Sequence, residues 1–215
     1  RDFVRDASHT LKTPLAIARG HSELLRRELR GGPHDRDVEK VVGELDRLGR
    51  TVDKLLLLMT SEAGTVHPDA ANVEPIDLGA LLHDVVDRWA VRADRRFDLA
   101  AEPGAATILG DRERLLVVFD ELIENAVHAT RTGDRIWLRL SVEDGTIRLQ
   151  VVDEGHGLSA GALQHLFERF WTERRTDGRR GTGLGLAIVR SIVEGHGGTI
   201  TASSASGVTA FTLAF

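Results

Sequence analysis

The segment VEKVVGELDRLGRTVDKLLLLM (residues 38–59) repeats its apolar side chains every seven positions. Val38, Leu45, Val52 and Met59 form one row, and Val41, Leu48 and Leu55 form a second, three places on. Charged residues, among them Glu39, Lys40, Glu44, Asp46, Arg47 and Arg50, take other positions. This spacing predicts a long helix with a heptad seam held for just over three repeats. Upstream, Val4, Leu11, Ala18 and Leu25 also fall seven apart, flanked by Phe3, Ala7, Ile17 and Leu24. Gly31-Gly32-Pro33 breaks the chain between the two patterns. Residues 1–62 therefore read as an all-α helical hairpin with arms roughly 40 Å long. Two helices alone bury little apolar surface, so the seam predicts a homodimer in which two hairpins form a four-helix bundle. The seam alone favours an inert dimerisation coiled coil.

His9 lies in SHTLKTP (residues 8–14). At about 100° per residue it sits roughly 200° from Leu11 and 180° from Ala18, and so points away from the seam. Thr13 shares its face, and Asp6 lies one turn back. Pro14 removes a helix hydrogen bond and crowds the carbonyl of Thr10, which loosens the helix beside the histidine. A neutral, exposed imidazole is nucleophilic near pH 7 and suits phosphate acceptance. An ordinary solvated histidine fits these residues as well.

Residues 63–76 are polar, with Gly64, Pro68 and Pro75, and read as a linker. The period changes in residues 77–215. Residues 78–89 and 115–130 are helix-like, the latter with Leu115, Phe119, Leu122, Ile123 and Ala126 on one side. Ile136, Leu138, Leu140 and Val142 alternate, Asp144-Gly145 marks a turn, and Ile147, Leu149 and Val151 alternate again, a hairpin signature. Residues 184–194 form a third helical pattern stopped by Gly195, Gly197 and Gly198, and residues 199–202 and 209–215 read as strands. Helices and antiparallel strands mixed in this order predict an α+β two-layer sandwich.

Four segments of this half carry polar chemistry. In ELIENAVHAT (residues 121–130), Glu121 and Asn125 are four apart and share a helix face. In DEGHGL (residues 153–158), a carboxylate ends a strand, and Gly155 and Gly157 allow close backbone approach. FERF (residues 167–170) precedes a charged stretch, residues 171–180. GTGLGL (residues 181–186) opens a helix, where glycine N–H groups and the helix terminus favour phosphate. It is neither a dinucleotide fingerprint, since Ile188 stands where the third glycine would be, nor a P-loop, since no Gly-Lys-Ser/Thr follows. Each segment alone fits a polar helix face, a simple turn or a solvated loop.

Together they resemble one family. SHTLKTP resembles the histidine box H-[ED]-L-[RK]-[TN]-P of the sensor histidine kinases of two-component systems, matching at His9, Leu11, Lys12, Thr13 and Pro14. The four later segments resemble, in order, the boxes of the Bergerat-type ATP-binding domain shared by gyrases, chaperones and histidine kinases. The resemblance implies that His9 is phosphorylated and that Thr13 positions water for hydrolysis of the phosphoryl group on a partner. It implies that Asn125 ligates Mg2+, a hard cation suited to oxygen ligands. Glu121 then polarises water or a proton near the γ-phosphate of ATP, and His128 stands where a lysine often contacts phosphate. Asp153 accepts from the adenine amino group, with Gly155 and Gly157 beside it. Phe170 packs the front edge of the site under a lid. Gly181, Thr182, Gly183, Leu184, Gly185 and Leu186 form the nucleotide loop.

The chain departs from the pattern at three further points. Thr10 replaces the usual acidic residue after the histidine. Glu121 stands where many of these kinases have asparagine and gyrase-type ATPases have glutamate. The last glycine turn has Gly207 alone, with Val208, Thr209, Ala210 and Phe211 following. The implied function is ATP-dependent autophosphorylation of His9, then transfer to an aspartate on a response-regulator receiver domain, with a phosphatase role also possible through Thr13. Two rivals stand beside it: a gyrase- or chaperone-like ATPase, favoured by Glu121, and a kinase-impaired phosphatase or scaffold, favoured by Thr10.

Bulk composition agrees with this reading. The net charge of −5 gives no reason to expect a nucleic-acid groove. The absence of cysteine excludes disulfides and thiol chemistry. No apolar run approaches the ~18 residues of a membrane span. The expectation is a cytoplasmic fragment of a bacterial sensor, reaching the membrane only through a parent segment absent from this chain.

Overall fold

The computed structural model describes the backbone of residues 2–59, 66–68, 70–172 and 182–215, and the side chains within those ranges from residue 12 onward, Ala70 excepted. The chain divides into two compact units, Arg1–Ser61 and Glu62–Phe215.

The first unit is a helical hairpin of α1 (Asp2–Glu28) and α2 (Asp35–Met59). α1 runs through Pro14 without a break. In the turn, Gly31 takes a left-handed φ of 77° and donates its N–H to Asp35 Oδ2 at 2.9 Å. Asp35 and Asp37 place negative charge at the start of α2, where the helix dipole favours it. Gly49, without a Cβ, leaves Leu15 Cδ2 3.4 Å from where that atom would stand. Lys12 meets Asp53 at 2.6 Å and Arg19 meets Asp46 at 3.1 Å across the arms. These exposed pairs stabilise little individually but fit one antiparallel register.

The heptad pattern resolves into two faces. Val42, Leu56 and Leu58 are buried, and Leu45 and Val52 half-buried. Val41 and Leu48 stay about half exposed, as do Ile17 and Leu24 of α1. A single partner helix covers one stripe of α2, and the double row of apolar residues is wider than that stripe.

The second unit comprises β1 (Val73–Asp77), α3 (Leu78–Arg92), β2 (Arg96–Ala100), β3 (Thr107–Asp111), α4 (Arg112–Ala129), β4 (Arg135–Glu143), β5 (Thr146–Asp153), α5 (Ala160–His165), α6 (Gly185–Gly195), β6 (Thr199–Ala205) and β7 (Val208–Ala214). A five-stranded sheet has the order β2-β4-β5-β7-β6, and β1 pairs with β3 in a separate two-stranded sheet. Asp144 and Gly145 both take positive φ, as the tight hairpin turn between β4 and β5 requires. Asp77 caps α3 by accepting from the Ala80 N–H at 3.1 Å and also holds the Gly104 N–H at 2.7 Å. Asp111 caps α4 through the Arg114 N–H at 3.2 Å. Leu81, Leu82 and Val85 of α3, Leu115, Phe119, Leu122 and Ile123 of α4, and Ile188 and Ile192 of α6 are buried, as are Ile136, Leu138, Leu149, Val151, Phe211 and Leu213 of the sheet. The large helices pack against the sheet through these side chains in a two-layer α+β sandwich.

Two features differ from the sequence reading. β1 begins at Val73, inside residues 63–76, and includes Pro75. Proline fits there because, among the described residues, β1 pairs with β3 alone. β2 and β4 run parallel, where only antiparallel pairing is expected. The intervening β3 and α4 form a crossover long enough to allow it. β2 is short, with only Phe97 and Leu99 as inward apolar residues, so its period-two signal is faint.

Candidate functional site

Strand alternation sets the first group. Leu149, Val151 and Asp153 fall on the core-facing side of β5, so Asp153 ends an apolar row and is only 2% exposed. Burial pushes its carboxyl up to about 6, against the opposing pull of the Gly155 N–H at 3.0 Å and of nearby His156. A Cβ on Gly155 would stand 2.6 Å from the Ala129 carbonyl oxygen, so the end of α4 lies against this loop. Gly157 has a φ of 73° and its neighbour Leu158 donates its N–H to Ser204 Oγ at 2.8 Å.

Thr209, which the sequence reading passed over as a site residue, is buried directly across the sheet from Asp153. Its signal was a polar residue at a strand position facing the core. The single-glycine turn is built by Ser206 and Gly207, both at positive φ (53° and 83°). Ser206 accepts a conformation unfavourable for a residue with a Cβ, at roughly 1–2 kcal/mol, and one glycine then suffices.

α4 supplies the second group. Glu121 and Asn125 are half-buried on one face, and His128 is exposed in the last turn. The Glu121 carboxylate lies where a Cβ on Gly185 would be, so α4 meets the first turn of α6. The C-terminus of α4 is held by Arg95, another residue the sequence reading missed. Its Nε donates to Thr130 Oγ1 at 2.8 Å, and one Nη donates to the carbonyls of Val127 (3.1 Å) and Thr130 (2.9 Å).

The third group opens α6. Gly183 has a φ of 66°, and a Cβ there would press on Phe170 Cα and the Trp171 carbonyl at 2.7 Å each. The Phe170 N–H donates to the Gly183 carbonyl at 2.8 Å. Phe170 itself takes a φ of 64°, and its side chain is 66% exposed. The Phe170 backbone packs against Gly183, and the residue stays exposed beside the loop that opens α6. Leu184 is buried and Leu186 half-buried. Thr182 Oγ1 lies 3.4 Å from the Leu184 N–H. The N-cap residue of α6, Leu184, has no side-chain group to cap the helix, so the first turn keeps the positive potential of a helix start. Gly181 and residues 173–180 of the expected lid lie outside the described residues. His9 and Thr13 are on α1 of the other unit. Thr13 is exposed, while the side chains of His9, Thr10 and Asp6 lie outside the described residues.

The second unit thus joins a buried carboxylate, three glycines whose missing side chains admit close backbone contact, and a helix start beside a glutamate. Residues 110–215 match the profile of the histidine kinase-, DNA gyrase B- and HSP90-like ATPase family. Residues 1–64 match the His Kinase A (phospho-acceptor) domain. This chain belongs to the sensor histidine kinase family.

Among relatives of these kinases, it is 38% identical to the probable sensor histidine kinase TcrY of Mycobacterium tuberculosis, over 98% of this chain and 44% of that protein. It is also 38% identical to the signal transduction histidine-protein kinase BaeS of Escherichia coli, over 94% of this chain and 44% of that protein. The chain spans a little under half the length of these two curated relatives. Among solved structures it resembles full-length ShkA in complex with AMPPNP, with a TM-score of 0.81 and 27% identity over 99% of this chain and 45% of that one. It also resembles the mycobacterial sensor histidine kinase MprB, with a TM-score of 0.59 and 27% identity over 66% of this chain and 96% of that one. The helical hairpin followed by an α/β ATPase sandwich is the histidine kinase architecture. No helix among the described residues is long and apolar enough to cross a membrane.

Proposed function

We propose that this chain is the catalytic part of a protein-histidine kinase that phosphorylates His9 from ATP and passes the phosphoryl group to an aspartate of a response-regulator receiver domain. The observation that carries the reading is that one unit holds both the buried Asp153 against Gly155 and Glu121 against Gly185 at the start of α6, on a chain whose other unit bears the histidine box at His9.

The residues fit a nucleotide. Asp153 accepts a hydrogen bond from the adenine amino group, and Thr209 beside it adds a second polar contact. Gly155 and Gly157 keep side chains away from the base. Thr182, Gly183, Leu184, Gly185 and Leu186, with Gly181, present backbone N–H groups to phosphate at the start of α6. Asn125 is suited to hold Mg2+, which neutralises charge on the phosphates when bound. Glu121 orients the proton or water at the transferring group, and His128 donates a hydrogen bond to phosphate. Catalysis is then mainly positioning and charge neutralisation. The uncovered rows Val41–Leu48 and Ile17–Leu24 fit a homodimer through residues 1–62. Residues 63–76 carry the chain from the hairpin into the ATP-binding domain, residues 77–215. The chain works in the cytoplasm as part of a longer bacterial sensor.

The test is incubation with ATP labelled at the γ- or the α-phosphate. Acid-labile, base-stable label from γ-ATP alone, mapped to His9, is expected; label from neither, with steady release of phosphate, points instead to a gyrase-like ATPase. Thr10 replaces the acidic residue that takes the histidine's other ring proton in the family, leaving that task to Asp6, a carboxylate of the second helix or water, so Thr10→Glu is expected to raise the autophosphorylation rate severalfold. An equal or lower rate counts against that role. Thr13 is exposed one turn from His9 and positions water on the partner's phosphoaspartate. Thr13→Ala is expected to lose at least about tenfold in phosphatase rate while keeping autophosphorylation, and full phosphatase activity removes the assignment.

A further inference from the structure

The helix-facing side of the large sheet is apolar row by row until its rim. Leu140, Leu149, Leu213 and Ile200 lie side by side on β4, β5, β7 and β6. Leu138, Val151, Phe211 and Ala202 make the next row. One row further, Ile136 is followed by Asp153, Thr209 and Ser204. Three polar side chains thus stand abreast on neighbouring strands, beginning with the carboxylate of the nucleotide site. Asp153 and Thr209 are buried, and Ser204 is half-buried. Ser204 has no part in the nucleotide contacts proposed above.

Ser204 Oγ uses its whole hydrogen-bonding capacity inside the protein. It accepts the Leu158 N–H at 2.8 Å and lies 3.2 Å from the Val208 carbonyl and 3.4 Å from Thr209 Oγ1. A carbonyl only accepts, so the single hydroxyl proton of Ser204 goes to Val208. Thr209 is then the donor in its contact with Ser204, and its hydroxyl keeps only lone pairs for any other group. Ser204 also seats the loop after Asp153. A Cβ on Gly157 would stand 3.2 Å from Ser204 Oγ and 3.3 Å from Gly207 Cα, so this loop rests on Ser204 and on the β6–β7 turn. That turn has Ser206 and Gly207, both at positive φ, between the paired Ala205 and Val208. Such a two-residue connection fixes the register that sets Ser204 opposite Thr209.

We propose that Ser204 is a positioning residue for base specificity. It fixes Thr209 as a hydrogen-bond acceptor beside the Asp153 carboxylate, so the site selects a base bearing an amino group over one bearing a carbonyl in its place. The proposal rests on the nucleotide reading above. Adenine offers N–H donors at its 6-amino group. Hypoxanthine presents a carbonyl oxygen there, whose lone pairs meet two acceptors and stay unpaired. Once Ser204 loses its hydroxyl, Thr209 is free to rotate and donate. Adenine then loses a fixed acceptor, and the carbonyl gains a donor. The triphosphate at the start of α6 is common to both nucleotides, so a general loosening of the site weakens both alike.

The whole chain is titrated at pH 7.5 with ATP and with inosine triphosphate, each competing against a fluorescent ATP analogue. The proteins are the parent, Ser204→Ala, Ser204→Thr, Thr209→Val and the double variant Ser204→Ala/Thr209→Val. The parent is expected to prefer ATP. Ser204→Ala is expected to bind ATP about fivefold more weakly, the worth of one hydrogen bond. Its affinity for inosine triphosphate is expected to hold or improve, so the preference falls at least about fivefold. Ser204→Thr retains the hydroxyl and is expected to keep the parent's preference. On Thr209→Val, the serine substitution is expected to change the preference less than twofold, because the hydroxyl it acts through is gone. Equal weakening of both nucleotides in Ser204→Ala overturns the proposal, as does an unchanged preference there or a serine effect undiminished on Thr209→Val. A parent that binds neither nucleotide sinks the nucleotide reading itself, a result distinct from a parent that binds ATP with a preference indifferent to Ser204.

Discussion

A His9→Gln chain is expected to acquire no phosphate from γ-labelled ATP, a fall of at least about a thousandfold in autophosphorylation, while it binds nucleotide as the parent does. Glutamine keeps the length and polarity of the side chain and suits a helix interior, so α1 persists. It lacks the ring nitrogen lone pair that attacks phosphorus. Nothing in the second unit is altered, so Asp153 and the α6 loop still hold ATP. The rival ATPase reading makes the opposite prediction: phosphate release continues unchanged in the variant, and the parent carries no label. The scaffold reading predicts no label in either protein. Label that persists in His9→Gln would place the acceptor elsewhere and remove the role assigned to the histidine box.

The sequence disclosed the long elements because burial imposes a period on them. α2 was legible from Val38, Leu45 and Val52, and β4–β5 from Ile136, Leu138, Leu149 and Val151, joined by Asp144-Gly145. β1 and β2 were not. β1 carries Pro75 and exposes three of its five residues, and β2 alternates over only two apolar side chains. In the nucleotide unit the glycines marked the loops, but their reasons are tertiary. Gly155 is required by the Ala129 carbonyl, Gly183 by Phe170 and Trp171, and Gly195 by Val66. No local pattern announces a neighbour 26 or 129 residues away. Arg95 was hidden for the same reason, since its value lies in carbonyls at the end of α4.

Asp153→Asn is expected to weaken ATP binding about 10- to 100-fold, the worth of a hydrogen bond to a charged acceptor, and at the same time to stabilise the fold. Both follow from one burial. The carboxyl is 2% exposed and its titration is raised from 3.8 to about 6. A raised acid contributes stability that is fully present below 3.8 and lost as pH rises through 6. Above pH 6 the native state therefore carries the cost of a desolvated charge, on the order of 3 kcal/mol from the shift. Asparagine removes that cost and still offers Oδ1 to the Gly155 N–H, although its amide group needs a partner of its own, so up to about 3 kcal/mol is recovered. Thermal melts at pH 7.5 should show the variant several degrees above the parent, with the difference shrinking as pH falls from 6 towards 3.8. The parent's ATP affinity should fall over the same window as the carboxylate takes up its proton, while the variant's weak affinity stays flat. A variant less stable than the parent at pH 7.5, or a parent affinity indifferent to pH between 7 and 5, would show that Asp153 is not the buried charged acceptor of this site.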